Sequence, residues 1–391
     1  MNRYERYLSL SADIIDSYNG AEPFASFLKK YFSQNKQLGS RDRKQISQCC
    51  YAFFRTGHLF DSFEKTKRIA AALFLCSDKE DNIIINIYPE WASHIELSLY
   101  EKCLFLGIEW STDKIFPWKK ELSEHIETDL FISSHLIQPD LFLRTRNNSL
   151  DKVIHKLDIA KLAYTVIGDS TIRLQNGTKV DEVLSINKEV IVQDYSSQQI
   201  SDLFKYLPFK PSASFKVWDS CAASGGKSIL MKDYYPNTLL TVSDNRHSIL
   251  RNLESRFKVA GIVYQNTFVV DLSISIPDEI KPETFDLIIA DVPCTGSGTW
   301  GRTPEWLHYF KVQQIDAYAE LQFSILKNIL PALKKGGYLI YITCSVFKEE
   351  NERQVNKLND ECECILMSSR LIKGYTYKAD TMYSALLQKK H

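Results

Sequence analysis

Apolar positions recur at the three-and-four spacing of an amphipathic helix through the first third of the chain. Phe24, Phe27, Leu28, Tyr31 and Phe32 form one such stripe, and Ile46, Cys49, Cys50, Ala52 and Phe53 the next. Between them, residues 37–44 read Q-L-G-S-R-D-R-K, a Gly break followed by a Ser cap and a basic first turn. Helical character continues over 90–106, breaks at Asp113 and Pro117, and resumes over 119–125. The pattern predicts an all-α domain over residues 1–132. The period then changes. Runs at 141–144, 164–167, 171–174 and 190–192 read as strands and 150–157 as a helix, a small α+β subdomain over 133–207. Over 208–391, strands at 215–219, 239–244, 267–270, 286–291 and 338–343 alternate with helical stretches such as 246–260 and 316–334. Gly336-Gly337 sits where the second of these helices would end. Such alternation predicts an α/β, Rossmann-like, doubly wound sheet that is largely parallel.

Composition narrows the setting more than the function. Lys+Arg and Asp+Glu balance at 48 each, so net charge points to no partner, although a balanced total can hide a basic face. The nine cysteines are scattered, and no apolar leader precedes them. Reduced thiols in a cytoplasmic protein are expected, not a disulfide framework. No apolar run approaches the roughly 20 residues of a membrane span. Cys49 and Cys50 are neighbours on a helix and face different directions, so they read as core filler, and no metal site is expected. The basic turn at 41–44 fits a solvated helix start or a phosphate-contacting edge equally well. Arg144, Arg146 and Asn147, at the end of a strand, fit either a solvated strand end or a phosphate backbone.

In an open α/β sheet, ligands bind beyond the carboxyl ends of the strands. The first strand runs into Cys221, Ala222, Ala223, Ser224, Gly225, Gly226 and Lys227, small residues that allow close backbone approach, then a helix N-terminus. The stretch matches neither G-x-x-x-x-G-K-[ST] nor G-x-G-x-x-G. Asp244 ends the second strand, placed for ribose hydroxyls or to cap the next helix. Asp271 follows the third, facing an adenine edge or capping a turn. The fourth ends in Asp291-Val292-Pro293-Cys294 and the fifth in Thr343-Cys344. One free cysteine would read as a small buried hydrophobe. Two at adjacent strand mouths, with an aspartate beside one, point to nucleophilic chemistry.

The motifs D-S-C-A-A-S-G-G-K, D-V-P-C-T-G-S-G-T-W and T-C-S-V-x-x-x-E-N-E resemble, in order and spacing, the Nop/Sun (RsmB-type) RNA cytosine-5 methyltransferases. The resemblance covers 139–387, including Arg144–Asn147, Gln193-Asp194 and the last strand near 380–386. The first part is similar, more weakly, to a NusB-like RNA-binding domain at 38–43. The resemblance implies S-adenosylmethionine as cofactor, with Cys221 to Lys227 forming its loop. It also implies Asp244 on the ribose, Asp271 near the adenine, and Asp291 towards the methionine end and the base. Cys344 would add to C6 of cytosine and make C5 nucleophilic, Asp291 would assist at N3, and Cys294 would help release the product. Cys221 reads as a packing residue. Ser224 stands where the family usually has Pro, which implies a modest effect on affinity, and 301–306 is less basic than in many relatives. The partner implied is RNA, ribosomal RNA before transfer RNA, bound by a monomer with no membrane association. A catalytically inactive RNA-binding assembly factor is the alternative, and the presence of both cysteines and Asp291 speaks against it.

Overall fold

The computed structural model describes residues 2–146 and 149–390. The chain forms two compact units, one of Met1–Lys120, Glu127–Gln138 and Trp300–Val312, the other of Glu121–Ile126, Pro139–Thr299 and Gln313–His391.

The first unit is helical. Its longer helices are Arg3–Ser17, Phe24–Gln34, Ser40–Arg55 and Lys65–Cys76. They close over Ile14, Phe24, Phe54, Phe60 and Phe74, while Cys49 and Cys50 are fully buried filler. The residue ahead of helix Ser40–Arg55 is Gly39, and Ser40 is the first helical residue. Asp42 takes the capping role instead, accepting from Gly39 N at 3.0 Å and from Arg3 Nη2 at 2.8 Å. Residues 90–106 split into Pro89–Ala92 and Leu99–Phe105, the second started by Ser98, whose N–H donates to Glu101 at 2.9 Å. Over 119–125 there is only a 3₁₀ turn, Lys119–Glu121.

Residues 300–312 lie between two segments of the sheet-bearing unit in sequence, yet fold with the helices. Aromatic chemistry explains it. Trp300 is buried against the rings of Phe116, Trp118 and Phe310, and Tyr309 OH donates to Tyr18 O at 2.7 Å. Glu305 is buried and accepts from Phe24 N at 3.0 Å.

The second unit holds both sheets. Strands β1 (Leu141–Thr145), β2 (Tyr164–Ile167), β3 (Thr171–Leu174) and β4 (Val190–Val192) pair in the order β2-β3-β1-β4, all antiparallel. Leu143, Val153, Leu157, Ile172 and Val190 form its core beneath helix Leu150–Ile159. The larger sheet contains β5 (Lys216–Asp219), β6 (Leu239–Asp244), β7 (Asn266–Val269), β8 (Phe285–Asp291), β9 (Leu333–Thr343), β10 (Cys364–Ile372) and β11 (Met382–Lys389). Their order is β10-β11-β9-β8-β5-β6-β7, with β5 to β9 parallel and β11 antiparallel to both its neighbours. Val217, Trp218, Leu287, Ile288 and Ile289 are buried, as strands covered on both faces require.

Two details differ from the sequence pattern. Helix Gln313–Ile329 ends early and β9 begins at Leu333, so the Gly336-Gly337 pair lies inside the strand. Gly336 has φ 71°, and pairing with β8 shifts register there, a bulge in place of a helix end. The edge strand β10 is the second. Its Ile365, Leu366 and Met367 are exposed, so its apolar run carries no alternation that marks a strand. β5 lies between β6 and β8, where the winding of the sheet reverses, and that reversal opens a crevice at its carboxyl edge. Among the described residues, no helix is long and apolar enough to cross a membrane, and no cluster of His, Cys, Asp and Glu could hold a metal.

Candidate active site

The crevice is a cavity of about 520 Å³, within the size range of ligand sites. The carboxyl ends of β5, β6 and β8 line it with Ser220, Cys221, Ala223, Asp244, Asp291 and Cys294, and Cys344 reaches it from β9. Val270, Leu272, Leu321 and Ile325 supply an apolar wall, and Asp271 completes the acidic side.

β5 delivers the chain into a turn that only small residues can make. Ala223 has φ 46° and Gly225 φ 80°, and Gly225 precedes helix Gly226–Tyr234. A Cβ on Gly225 would stand 2.5 Å from the ring of Phe257. Ser224 is tied to helix His247–Ala260, where Arg256 Nη1 donates to Ser224 O and Oγ, each at 3.1 Å. Arg256 Nε donates to Asn187 Oδ1 at 2.7 Å, so one guanidinium joins the turn to the segment leading into β4. Behind the turn Asp219 is fully buried and accepts from Ser228 Oγ at 2.6 Å; burial pushes its carboxyl up to about 7. Burial likewise pushes the Cys221 thiol far up, which suits a packing residue.

Asp244 spans the turn and its own strand end. Oδ2 accepts from Ala223 N at 3.0 Å, and Oδ1 accepts from Arg246 N at 3.0 Å and Arg246 Nε at 2.9 Å. It stabilises the approach to helix His247–Ala260 without being its N-cap residue, which is Arg246. Asp271 accepts from Ser273 N at 3.0 Å and Ser273 Oγ at 2.6 Å, a turn cap that also lines the cavity. Asp291 pairs with Lys227 Nζ at 2.7 Å. Burial pulls Lys227 down most strongly, but Asp291, with Asp219 and Cys344 adding to it, leaves the ammonium above its ordinary value.

The two thiols meet. Cys294 Sγ and Cys344 Sγ are 3.2 Å apart. The contact with Cys344, together with burial, raises the Cys294 thiol well above its ordinary range. Beyond them, Gly298 N donates to Cys344 O at 2.8 Å, and Gly298 O accepts from Thr381 N at 2.8 Å. A Cβ at Gly298 would overlap Thr381 O at 1.9 Å, which makes glycine obligatory there.

Other sequence-singled residues have different employment. Arg144 Nη1 and Arg146 Nη2 each meet Asp233 at 2.7 Å; the Arg144 and Asp233 side chains are buried and Arg146 is partly so. They are neither a solvated strand end nor available to a phosphate backbone; Asn147 lies outside the described residues. The pattern also passed over Glu350. This carboxylate is fully buried and accepts from Thr295 N at 2.9 Å, Thr295 Oγ1 at 2.6 Å and Gln322 Nε2 at 3.0 Å, and from Ser345 Oγ. Its signal was the Glu-Asn-Glu that follows Thr343-Cys344-Ser345.

An adenosine-and-amino-acid cofactor fits these residues. The carboxylates of Asp244, Asp271 and Asp291 suit hydroxyl, amino and sulfonium groups, and the apolar wall suits a flat base.

A family model described as 16S rRNA methyltransferase RsmB/F matches residues 207–386. A probable ribosomal RNA small subunit methyltransferase B of Bacillus subtilis is 29% identical over 235 residues, 58% of this chain and 51% of that protein. The 26S rRNA (cytosine-C(5))-methyltransferase nsun-1 of Caenorhabditis elegans is 29% identical over 196 residues, 48% of this chain and 29% of its own. The chain thus spans about half or less of the length of these relatives. A methyltransferase homolog protein from Pyrococcus horikoshii superposes with a TM-score of 0.57 at 21% identity, covering 74% of this chain and 98% of its own, which shows a shared fold.

Proposed function

Starting from an RsmB/F-type, S-adenosylmethionine-dependent methyltransferase domain over residues 207–386, we propose that the protein methylates C5 of a cytosine in RNA. The observation that carries this is the Cys294–Cys344 pair at 3.2 Å, opening into the same cavity as Asp291 and the Asp244-braced turn. A methyl transferase acting on a ready nucleophile such as an amine has no use for two facing thiols. Cytosine C5 is a poor nucleophile, and a thiolate can change that.

When bound, S-adenosylmethionine supplies an electrophilic methyl group. Asp244 holds its ribose and Asp271 lies near its adenine, while the turn from Cys221 to Lys227 cradles the methionine end. Cys344 adds to C6, the C5=C6 electrons move into the ring, and a proton held at the Asp291–Lys227 pair supports N3 as charge builds there. C5 then takes the methyl group. Loss of the C5 proton restores the double bond and expels the Cys344 thiolate, the step in which Cys294 takes part.

The target base must leave its stack to reach this crevice, so locally opened RNA is the substrate form. The helical unit and the sheet β2-β3-β1-β4 are the RNA grips in this reading. Ribosomal RNA is favoured over transfer RNA because the helical part resembles a NusB-like RNA-binding domain. The protein acts as a cytoplasmic monomer in this reading. The test is transfer of labelled methyl groups from S-adenosylmethionine to unmodified small-subunit ribosomal RNA, with bisulfite sequencing locating the cytosine. Absence of transfer to ribosomal and transfer RNA by folded protein would leave the inactive assembly-factor reading.

A further inference from the structure

We propose that Glu350 is the positioning residue of the thiol pair, a single buried carboxylate that sets the separation and aim of Cys294 and Cys344 together; this rests on the functional reading above. The geometry is specific. Thr295 follows Cys294 in sequence and gives Glu350 two hydrogen bonds, from N at 2.9 Å and Oγ1 at 2.6 Å. Ser345 follows Cys344 and gives a third, from Oγ. Gln322 Nε2, on helix Gln313–Ile329, is 3.0 Å from Glu350 Oε1 and 3.0 Å from Pro293 O, the residue before Cys294. Tyr341 OH donates to Glu350 O at 2.6 Å and fixes the backbone from which the side chain reaches.

By contrast, Asn351 serves one cysteine. It accepts from Thr343 Oγ1 at 2.5 Å and donates to Ser345 O at 3.0 Å, bracing Cys344 from both sides with no bond to the Cys294 loop. The two loops also meet directly, at Gly298 N–Cys344 O and at Thr295 Oγ1–Ser345 Oγ (3.3 Å), and Glu350 is the carboxyl that accepts from the residue after each cysteine. Its donors are all neutral, and it is fully buried. A carboxylate kept there without a cation is costly unless those four hydrogen bonds are all made. That cost makes the arrangement selective. Loops displaced from their places would leave donors and a buried acceptor unpaired at once. Burial pushes the Glu350 carboxyl up and its hydrogen bonds oppose the rise, so the bonds are what favour the carboxylate form.

Three variants test this. Glu350→Ala removes all four bonds. Glu350→Gln keeps an oxygen for Thr295 N and Gln322, and its amide can donate to the two hydroxyls after they rotate. Glu350→Asp keeps the carboxyl but is one methylene too short to hold both loops. Two measurements are made on each. One is kcat and KM for methyl transfer; the other is the rate at which the oxidant diamide joins Cys294 and Cys344 into a disulfide, each thiol losing a hydrogen as diamide is reduced to its hydrazine. Glu350→Ala is expected to lose about 100-fold in kcat, the scale of a 1 Å misplacement, with both KM values within about threefold. Glu350→Gln should recover to within about tenfold of wild type, and Glu350→Asp should fall between. Disulfide formation should slow in the same order. If Glu350→Ala does not fold, the Asp variant decides, and a wild-type kcat in it overturns the proposal. So does a loss in the Ala variant that appears only in KM, or an unchanged disulfide rate. If wild-type protein transfers no methyl group but its disulfide rate still responds to Glu350, the functional reading fails and the positioning role stands.

Discussion

Cys294 and Cys344, 50 positions apart in sequence, face one another sulfur to sulfur at 3.2 Å. Both approach one crevice, but they do different work if Cys344 is the nucleophile. Cys344→Ala should abolish methyl transfer. Cys294→Ala should stall after transfer and accumulate a covalent protein–RNA adduct, visible as a shifted band on denaturing gels. An adduct from the Cys344 variant and none from the Cys294 variant would reverse the roles.

Asp244 accepts from Ala223 N at 3.0 Å and from Arg246 N, Nε and Nη2, and it lines the cavity. Asp244→Asn should raise the dissociation constant for S-adenosylmethionine by roughly 10-fold or more, the value of one or two charge-assisted hydrogen bonds. Isothermal titration with S-adenosylmethionine measures it, and an unchanged constant would remove Asp244 from the binding site.

Arg256 holds Ser224 through two contacts at 3.1 Å. Arg256→Ala frees the turn and should weaken cofactor binding about 5-fold, on the order of one net hydrogen bond of about 1 kcal/mol. Ser224→Ala, which keeps the carbonyl contact, should change it less than twofold. Equal effects from both would show that the carbonyl contact carries nothing.

Arg144 and Arg146 converge on Asp233 in a buried cluster. Asp233→Ala leaves two guanidiniums without their counter-charge and should destabilise by about 3–5 kcal/mol. Denaturant titration reads this directly, and a loss below about 1 kcal/mol, the scale of an exposed pair, would show that the cluster is solvated.

Asp219 couples stability to pH. Burial raises its carboxyl to about 7 from 3.8, with Ser228 and Lys227 opposing and Asp291 and Asp244 adding to the rise. Below about pH 4 the proton is held in folded and unfolded chains alike, and the contribution is complete. Between about 4 and 7 only the folded state keeps it, so stability falls as pH rises and levels off above 7. Relative to Asp219→Asn, wild type should lose on the order of a few kcal/mol between pH 4 and pH 8. A stability difference that stays constant over that range would contradict the buried proton.

The parallel core was legible because its strands are covered on both faces and read as short apolar runs. Residues 239–244 are the observed bounds of β6. The same logic failed for β10, whose exposed Ile365, Leu366 and Met367 offer no alternation, and at Gly336, where a glycine pair marked a bulge instead of a helix end. The cavity-lining aspartates and cysteines were legible because strand ends are fixed points of the topology. What escaped were long-range partners. Nothing local reveals that Asp233 waits for Arg144 and Arg146, that Arg256 reaches Ser224, or that Glu305 reaches Phe24 N. Such contacts depend on how separated segments pack, which spacing along one segment does not encode.

The pin at Gly298 has a consequence for assembly. Thr381, Gly298 and Cys344 are brought together by hydrogen bonds across three distant stretches. Contacts of such sequence separation carry a loop-closure cost that local helices do not. A fragment cut before residue 381 would carry the motifs around Cys221, Cys294 and Cys344 and still lack the Thr381 N–Gly298 O contact beside Cys344. Recognisable motifs and a completed site therefore require different lengths of this chain.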